Sequence, residues 1–227
     1  MNSPAYITHK GPHTGILAIL YTVLFWIGLY PVTAMYKTPY WPGPWESASA
    51  IVNYFQNYGG RVLFCITFQL GALICFGLFA VTMVSKLRFL GARAAGTYIA
   101  LFGGILVVAD AFAGTMAMWT LLHPGVLEHA PTLLALYYLA YALGAVGFSV
   151  PMGLFLAGVS VTGGFLKLLP KWMVAFGLFL AVAGEVSILH LVFPKLLFLV
   201  PLVRFPGFIW LITAGFMLPS GRVVQSR

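Results

Sequence analysis

The chain has 227 residues, of which 61% are hydrophobic and only 7% charged, with a mean hydropathy of +0.99. Water-soluble domains carry about 45–50% apolar and about 25% charged residues, so a soluble core of this length is excluded and the solvent must be lipid. The net charge of +8 is spread over short connections, as cytoplasmic loop retention requires, and no basic run exceeds the Lys86, Arg88, Arg93 grouping, which argues against a nucleic-acid partner.

The first apolar run, Thr14 to Tyr36, is about twice as long as a signal-peptide core and no small-residue cleavage site follows it, so it reads as a retained span. A membrane helix needs about 20 apolar residues. Six segments qualify, at 14–36, 61–84, 94–122, 132–160, 172–193 and 195–218. Pro and Gly mark the joins: Pro39, Pro42 and Pro44; Gly91; Pro124 and Gly125; Gly163, Gly164 and Pro170; Pro194; Pro219 and Gly221. At Pro194 the join is so tight that the last two spans should form an antiparallel hairpin. Hydrophobic segments follow one another throughout, which predicts one domain over 1–227. No internal repeat is visible, so a nested inverted-repeat transporter gains no support.

The long connection, 37–60, begins too Pro-rich for a helix. From Glu46 to Tyr58, Ala50, Ile51, Tyr54 and Phe55 fall at helical spacing opposite Ser47, Ser49, Asn53, Gln56 and Asn57. This predicts a short amphipathic helix at the outer interface, anchored by Trp41 and Trp45. Such a segment is either an ordinary aromatic-belt loop or a lid over an outward-facing cavity. Cys65 and Cys75 lie about 15 Å apart along one predicted helix, too far for a disulfide, and read as free thiols.

With the N-terminus inside, Lys10, Lys86, Arg88, Arg93, Lys167, Lys171, Arg222 and Arg227 fall on the cytoplasmic side and Lys37, Arg61 and Lys195 outside, eight against three. The fold class is therefore all-α: a polytopic membrane bundle of six helices with both termini cytoplasmic. The pattern fits a small multi-span protein of a bacterial inner membrane, with membrane lipids as its partners.

Ionisable groups in hydrocarbon cost at least about 2.5–3.5 kcal/mol each and usually face partners in the bundle interior. Span three carries Asp110, span five Glu185 and His190, and span six Arg204; Gln69 in span two is a neutral companion. Counted from the outer face at about 1.5 Å per residue, His190 lies about 6 Å down, Gln69 about 12 Å, Glu185 and Arg204 about 13–14 Å, and Asp110 about 19 Å. Four helices thus place polar groups in the outer half of the membrane. Glu185 and Arg204, level on two spans joined by a tight turn, are the natural ion pair. That leaves Asp110 as a second acceptor for Arg204 or as a neutral, protonated acid. Gly103, Ala113, Gly114 and Ala117 make a small-residue stripe beside it, which points Asp110 inward. Tyr137, Tyr138 and Tyr141 lie on the outer part of span four, with Tyr138 and Tyr141 on one face.

Two readings follow. An Asp/Glu/Arg network can lock helices together, or it can form a pocket that binds a ligand. The candidate binding residues are Asp110, Glu185, Arg204, Gln69, Tyr138, Tyr141 and His190. His190 stands alone as an intramembrane imidazole and lies about 140° from Glu185 around the helix, which argues for a structural role over metal or haem. No cofactor is implied: there is no intramembrane Lys for a Schiff base, no H-E-x-x-H, no G-x-S-x-G, no P-loop and no Arg-rich voltage sensor. The leading function is binding or transport of a small amphipathic or cationic molecule in an outward-facing pocket. The alternatives are a membrane enzyme acting on a lipid or isoprenoid-like substrate, with Asp110 or Glu185 as general acid, and an accessory or scaffold subunit.

Overall fold

A computed structural model of the chain describes residues 5–224, and Arg227, counted above among the cytoplasmic cations, lies outside them. The α-helices are α1 (Thr14–Leu29), α2 (Ala48–Phe89), α3 (Ala95–Leu121), α4 (Pro124–Leu127), α5 (Ala130–Phe165), α6 (Lys171–Val186) and α7 (Leu199–Met217). With their 3-10 extensions, six stretches among the described residues are long and apolar enough to cross a membrane: Thr14–Val32, Ala48–Phe89, Ala95–Leu121, Ala130–Phe165, Lys171–Leu191 and Pro194–Met217.

The surface pattern of α1 shows why the solvent is lipid. Its buried residues, Thr14, Leu17, Ala18, Tyr21 and Phe25, recur every three to four positions, the mark of one packed helix face. Its exposed face is Ile16, Ile19, Leu20, Val23, Trp26 and Ile27. In water that face would be polar. The chain is a multi-pass membrane protein.

Helix α2 begins before the apolar segment that the sequence marks. Ser47 opens it: its hydroxyl accepts the N–H of Ala50 at 3.2 Å and its carbonyl that of Ile51 at 3.1 Å, the N-cap arrangement. The expected amphipathic stretch is helical from Ala48 and runs directly into the second span, bent at Tyr58, where φ is −123° and ψ 21°. Gly59 and Gly60 follow the bend, and paired small residues are a common cause of such kinks. Between α6 and α7 the tight join is made of two 3-10 turns, Ser187–Leu191 and Pro194–Phe198, and the two helices pack against each other.

Two elements escaped the sequence reading. Strands β1 (Ala5–Thr8) and β2 (Gly221–Val224) pair antiparallel, Tyr6 opposite Val223 and Ile7 opposite Arg222. This ribbon holds the segments flanking the first and last spans at one end, as an even number of crossings requires. Lys86, read as a loop cation, is instead buried at 5% exposure, its Nζ donating to Thr14 Oγ1 at 3.4 Å. Thr14 in turn donates to the carbonyl of Gly215 at 2.6 Å. The last turn of α2 thus extends further into the protein than hydropathy indicates.

The chain divides into two compact units. The first comprises Met1–Ile19, Phe76–Ile105 and Ser149–Arg227. It is held by glycine-mediated helix crossings. A Cβ on Gly103 would lie 2.6 Å from the Pro151 carbonyl oxygen, and one on Gly184 would lie 2.6 Å from that of Ser149. Such close backbone approach is how membrane helices gain packing without a hydrophobic drive between them. Around these crossings the rings of Phe76, Phe79 and Phe155 meet edge-on or tilted, and Ser149 and Ser187 hydroxyls bond at 2.7 Å.

The second unit comprises Leu20–Cys75 and Leu106–Phe148. Its core joins Ile51, Tyr54, Phe55, Val62 and Ile66 of α2 to Ala117, Met118 and Leu121 of α3 and Leu133, Tyr137 and Ala140 of α5. Cys65 and Cys75 are both free thiols.

Candidate functional site

In the second unit, α1 ends in a 3-10 turn, Tyr30–Val32, with Pro31 at its start. The chain then reverses. Trp41 N–H donates to the Val32 carbonyl at 2.9 Å and the Trp41 ring meets Phe55 edge-on at 5.5 Å. Tyr137, fully buried, donates its hydroxyl to the Pro42 carbonyl at 2.6 Å. The Pro-rich segment is therefore fastened to the core by backbone and side chain, which is not the construction of a loose lid.

The bend at Tyr58 brings the start of the long arm of α2 beside the end of α1. Gly28 permits the approach, since a Cβ there would lie 2.8 Å from Phe68 Cβ and 3.1 Å from the Cys65 carbonyl oxygen. Gln69 completes the junction by donating to the Phe25 carbonyl at 3.3 Å. Just beyond, the two helices and the reversing chain enclose an open groove of about 760 Å³. Trp26, Ile27, Tyr30, Tyr36 and Phe64 make its aromatic and aliphatic wall, and Arg61 is its one charged residue.

Arg61 is held at three points. It donates to the Pro39 carbonyl at 3.2 Å, and its guanidinium stands 4.6 Å from the Tyr58 ring centre and 5.3 Å from that of Tyr36. Lys37 places a second cation 5.9 Å from the same Tyr36 ring. Five N–H donors on one guanidinium exceed what a single carbonyl uses. The arrangement is an apolar trough with a braced, partly unsatisfied cation at one end.

The residues singled out in the sequence divide between the units. Gln69, Asp110, Tyr138 and Tyr141 belong to the second, and Glu185, His190 and Arg204 to the first. Gln69 clasps α1, as described. Asp110 is half-buried and faces α5: a Cβ on Gly147 would lie 3.2 Å from its Cβ and 3.4 Å from its Oδ2. One helical turn away, Gly114 packs on Ala140, Leu143 and Gly144. Tyr138 is exposed and Tyr141 half-buried, their rings 5.3 and 6.4 Å from that of Tyr137. In the first unit Glu185 is exposed on α6 between Val182 and Leu189, also exposed, with Oε1 turned toward Gly153. It makes no ion pair among the described residues. Arg204 and His190 are half-buried. No group of three metal-ligating side chains forms among the described residues.

In the sequence Arg61 reads only as a charge outside the membrane, and Trp26, Tyr30 and Tyr36 carry no reading of their own. A signal was present: Gly59-Gly60-Arg61 at the foot of an apolar span, facing an aromatic cluster some thirty residues upstream. No family model, curated protein or solved structure matches the chain.

Proposed function

We propose that this protein, with both termini cytoplasmic, binds an amphipathic molecule from the outer leaflet in the groove of its second unit. The eight-to-three charge split supports that orientation, and Trp45, 72% exposed beside the start of α2, suits an outer interface. The observation that carries the function is the braced Arg61 at one end of an apolar trough. It favours a chain or ring system along Trp26, Ile27 and Phe64 with an anionic head at Arg61, in preference to a cationic ligand.

The groove's volume lies within the range of about 300–1,000 Å³ typical of small-ligand sites. A charged hydrogen bond contributes about 1.5–3 kcal/mol. Arg61→Gln should therefore weaken binding of dibrominated stearate, in a neutral detergent, by about ten-fold or more, read as bromine quenching of Trp26 emission against a Trp26→Phe background. Unchanged affinity would remove the proposal. A C-terminal green-fluorescent fusion should fluoresce, and an alkaline-phosphatase fusion at the same point should be inactive.

A second reading rests on Glu185. A carboxyl on the exposed, otherwise apolar face of α6 is costly against lipid and favours a partner transmembrane helix that donates to it, as an accessory subunit would have. Cross-linking from a cysteine placed at Val182 should then capture one constant partner from native membranes, and capture that Glu185→Leu leaves unchanged would exclude the idea.

A further inference from the structure

The end of the first unit that carries the β1–β2 ribbon has one charge sign and open apolar residues. Ile7 and Arg222, opposite each other in the register, share one face of the ribbon. That face is turned to the protein, with the Arg222 guanidinium 5.1 Å from the Phe89 ring centre at the end of α2. His9 fastens the ribbon further, bonding Ser85 Oγ at 3.0 Å and meeting the Phe89 ring at 5.5 Å. Tyr6 and Val223 stand on the other face, 66% and 65% exposed. A two-stranded ribbon is at best marginally stable in water, and this one leaves its larger apolar pair uncovered.

The connection between α5 and α6, at the same end, repeats the pattern. Phe165 is 84% and Trp172 56% exposed, beside exposed Lys167 and Lys171. Lys10, Arg88, Arg93 and Arg222 add four more exposed cations. The four acids of the chain, Glu46, Asp110, Glu128 and Glu185, all fall outside these segments. Loop retention alone asks only for a bias of cations. It asks neither for an apolar pair on a structured ribbon nor for two protruding aromatics flanking a pair of lysines.

We infer that this end is a docking surface for anionic phospholipid headgroups of the adjoining leaflet. Tyr6, Val223, Phe165 and Trp172 enter the boundary between headgroups and acyl chains, as aromatic residues of interfacial segments do. The cations pair with phosphate around them, and the ribbon becomes stable only when the leaflet covers it. The surface belongs to the first unit and the groove at Arg61 to the second, and the inference does not depend on the groove.

Four of the cations, Lys10, Arg93, Lys167 and Lys171, make no ring contact among the described residues, unlike Arg88, 5.5 Å from the Tyr98 ring centre, and Arg222. Replacing those four by Gln leaves the ribbon's own packing in place. The full chain would be placed in nanodiscs of phosphatidylcholine alone or mixed with phosphatidylglycerol, where both faces meet lipid, and amide hydrogen exchange of 5–8 and 221–224 followed. Exchange should be slower by at least ten-fold with phosphatidylglycerol, less so at high salt, and should return nearly to the phosphatidylcholine rate in the four-fold Gln variant, since each cation near a charged leaflet contributes about a five-fold factor. Tyr6→Ser with Val223→Ser should remove the protection with every cation present. Equal exchange in the two lipids would overturn the inference, and so would full protection in the four-fold variant.

Discussion

Tyr137→Phe tests whether the Pro-rich segment is fastened or mobile. The substitution keeps the ring, and with it the contact to Phe55 at 5.7 Å between centres, and removes only the hydroxyl that donates to Pro42 at 2.6 Å. Both residues are buried, so the carbonyl is left without a donor away from water. An orphaned buried acceptor costs about 1–3 kcal/mol, and for a chain of this size each kcal/mol lowers the melting temperature by about 2–4 °C. Tyr138→Phe is the matched control: that side chain is 45% exposed, and a surface change of this kind stays within about 0.5 kcal/mol. Melting in one detergent, followed by tryptophan emission, should separate the neighbours clearly. The perturbation should also reach the groove, because the segment that Tyr137 holds carries the Pro39 carbonyl that braces Arg61. Stearate affinity should therefore fall for Tyr137→Phe and hold for Tyr138→Phe. Equal melting of the two variants would refute the fastening and leave the segment free to act as a lid.

Two further expectations concern the first unit. Gly184→Leu would drive a Cβ into the Ser149 carbonyl and the Gly153 backbone, at 2.6 and 3.0 Å; overpacking of this kind costs about 1–3 kcal/mol or more. Gly207→Ala meets nothing within 4 Å and should stabilise α7 by up to about 1 kcal/mol through helix propensity; both are read as melting shifts. Thr14→Val should destabilise strongly, because it removes the acceptor of a buried ammonium, whereas Lys86→Met should be neutral or stabilising. The double variant should regain most of the loss, and simple additivity of the two single effects would show that the pair is not coupled.

The spans were legible because the 20-residue apolar period is a strong local signal and each join carries Pro or Gly. The ribbon was not, since Ala-Tyr-Ile-Thr and Gly-Arg-Val-Val are four residues each and become strands only by meeting across the whole chain. Lys86 was misplaced for a related reason. Hydropathy sees a cation near a span end and assigns it to water, while its burial depends on Thr14 and Gly215, distant in sequence. Depth along the helices is readable by counting; azimuth is not. Counting puts Gln69 and Glu185 at similar depth but gives no direction: the side chain of one is turned to the Phe25 carbonyl and that of the other lies exposed on α6.

Asp110 illustrates how a polar residue at membrane depth can be explained by the backbone it faces. In a regular helix the carbonyl of Gly147 would accept from the amide four residues on, but that residue is Pro151, which has none. Asp110 lies against this same Gly147, and the approach is possible because glycine leaves room: a Cβ there would crowd both the Cβ and Oδ2 of the acid. A protonated carboxyl at this position would supply the donor that the helix lacks, as neighbouring side chains do for other proline-interrupted membrane helices. Asp110→Asn keeps donors of similar reach and should change stability by no more than about 0.5 kcal/mol. Asp110→Leu and Gly147→Ala should each cost about 1–3 kcal/mol, the first by removing the donor and the second by pushing it away. Denaturation of the three variants in one detergent decides the matter. Asn and Leu variants that destabilise alike would refute the donor role.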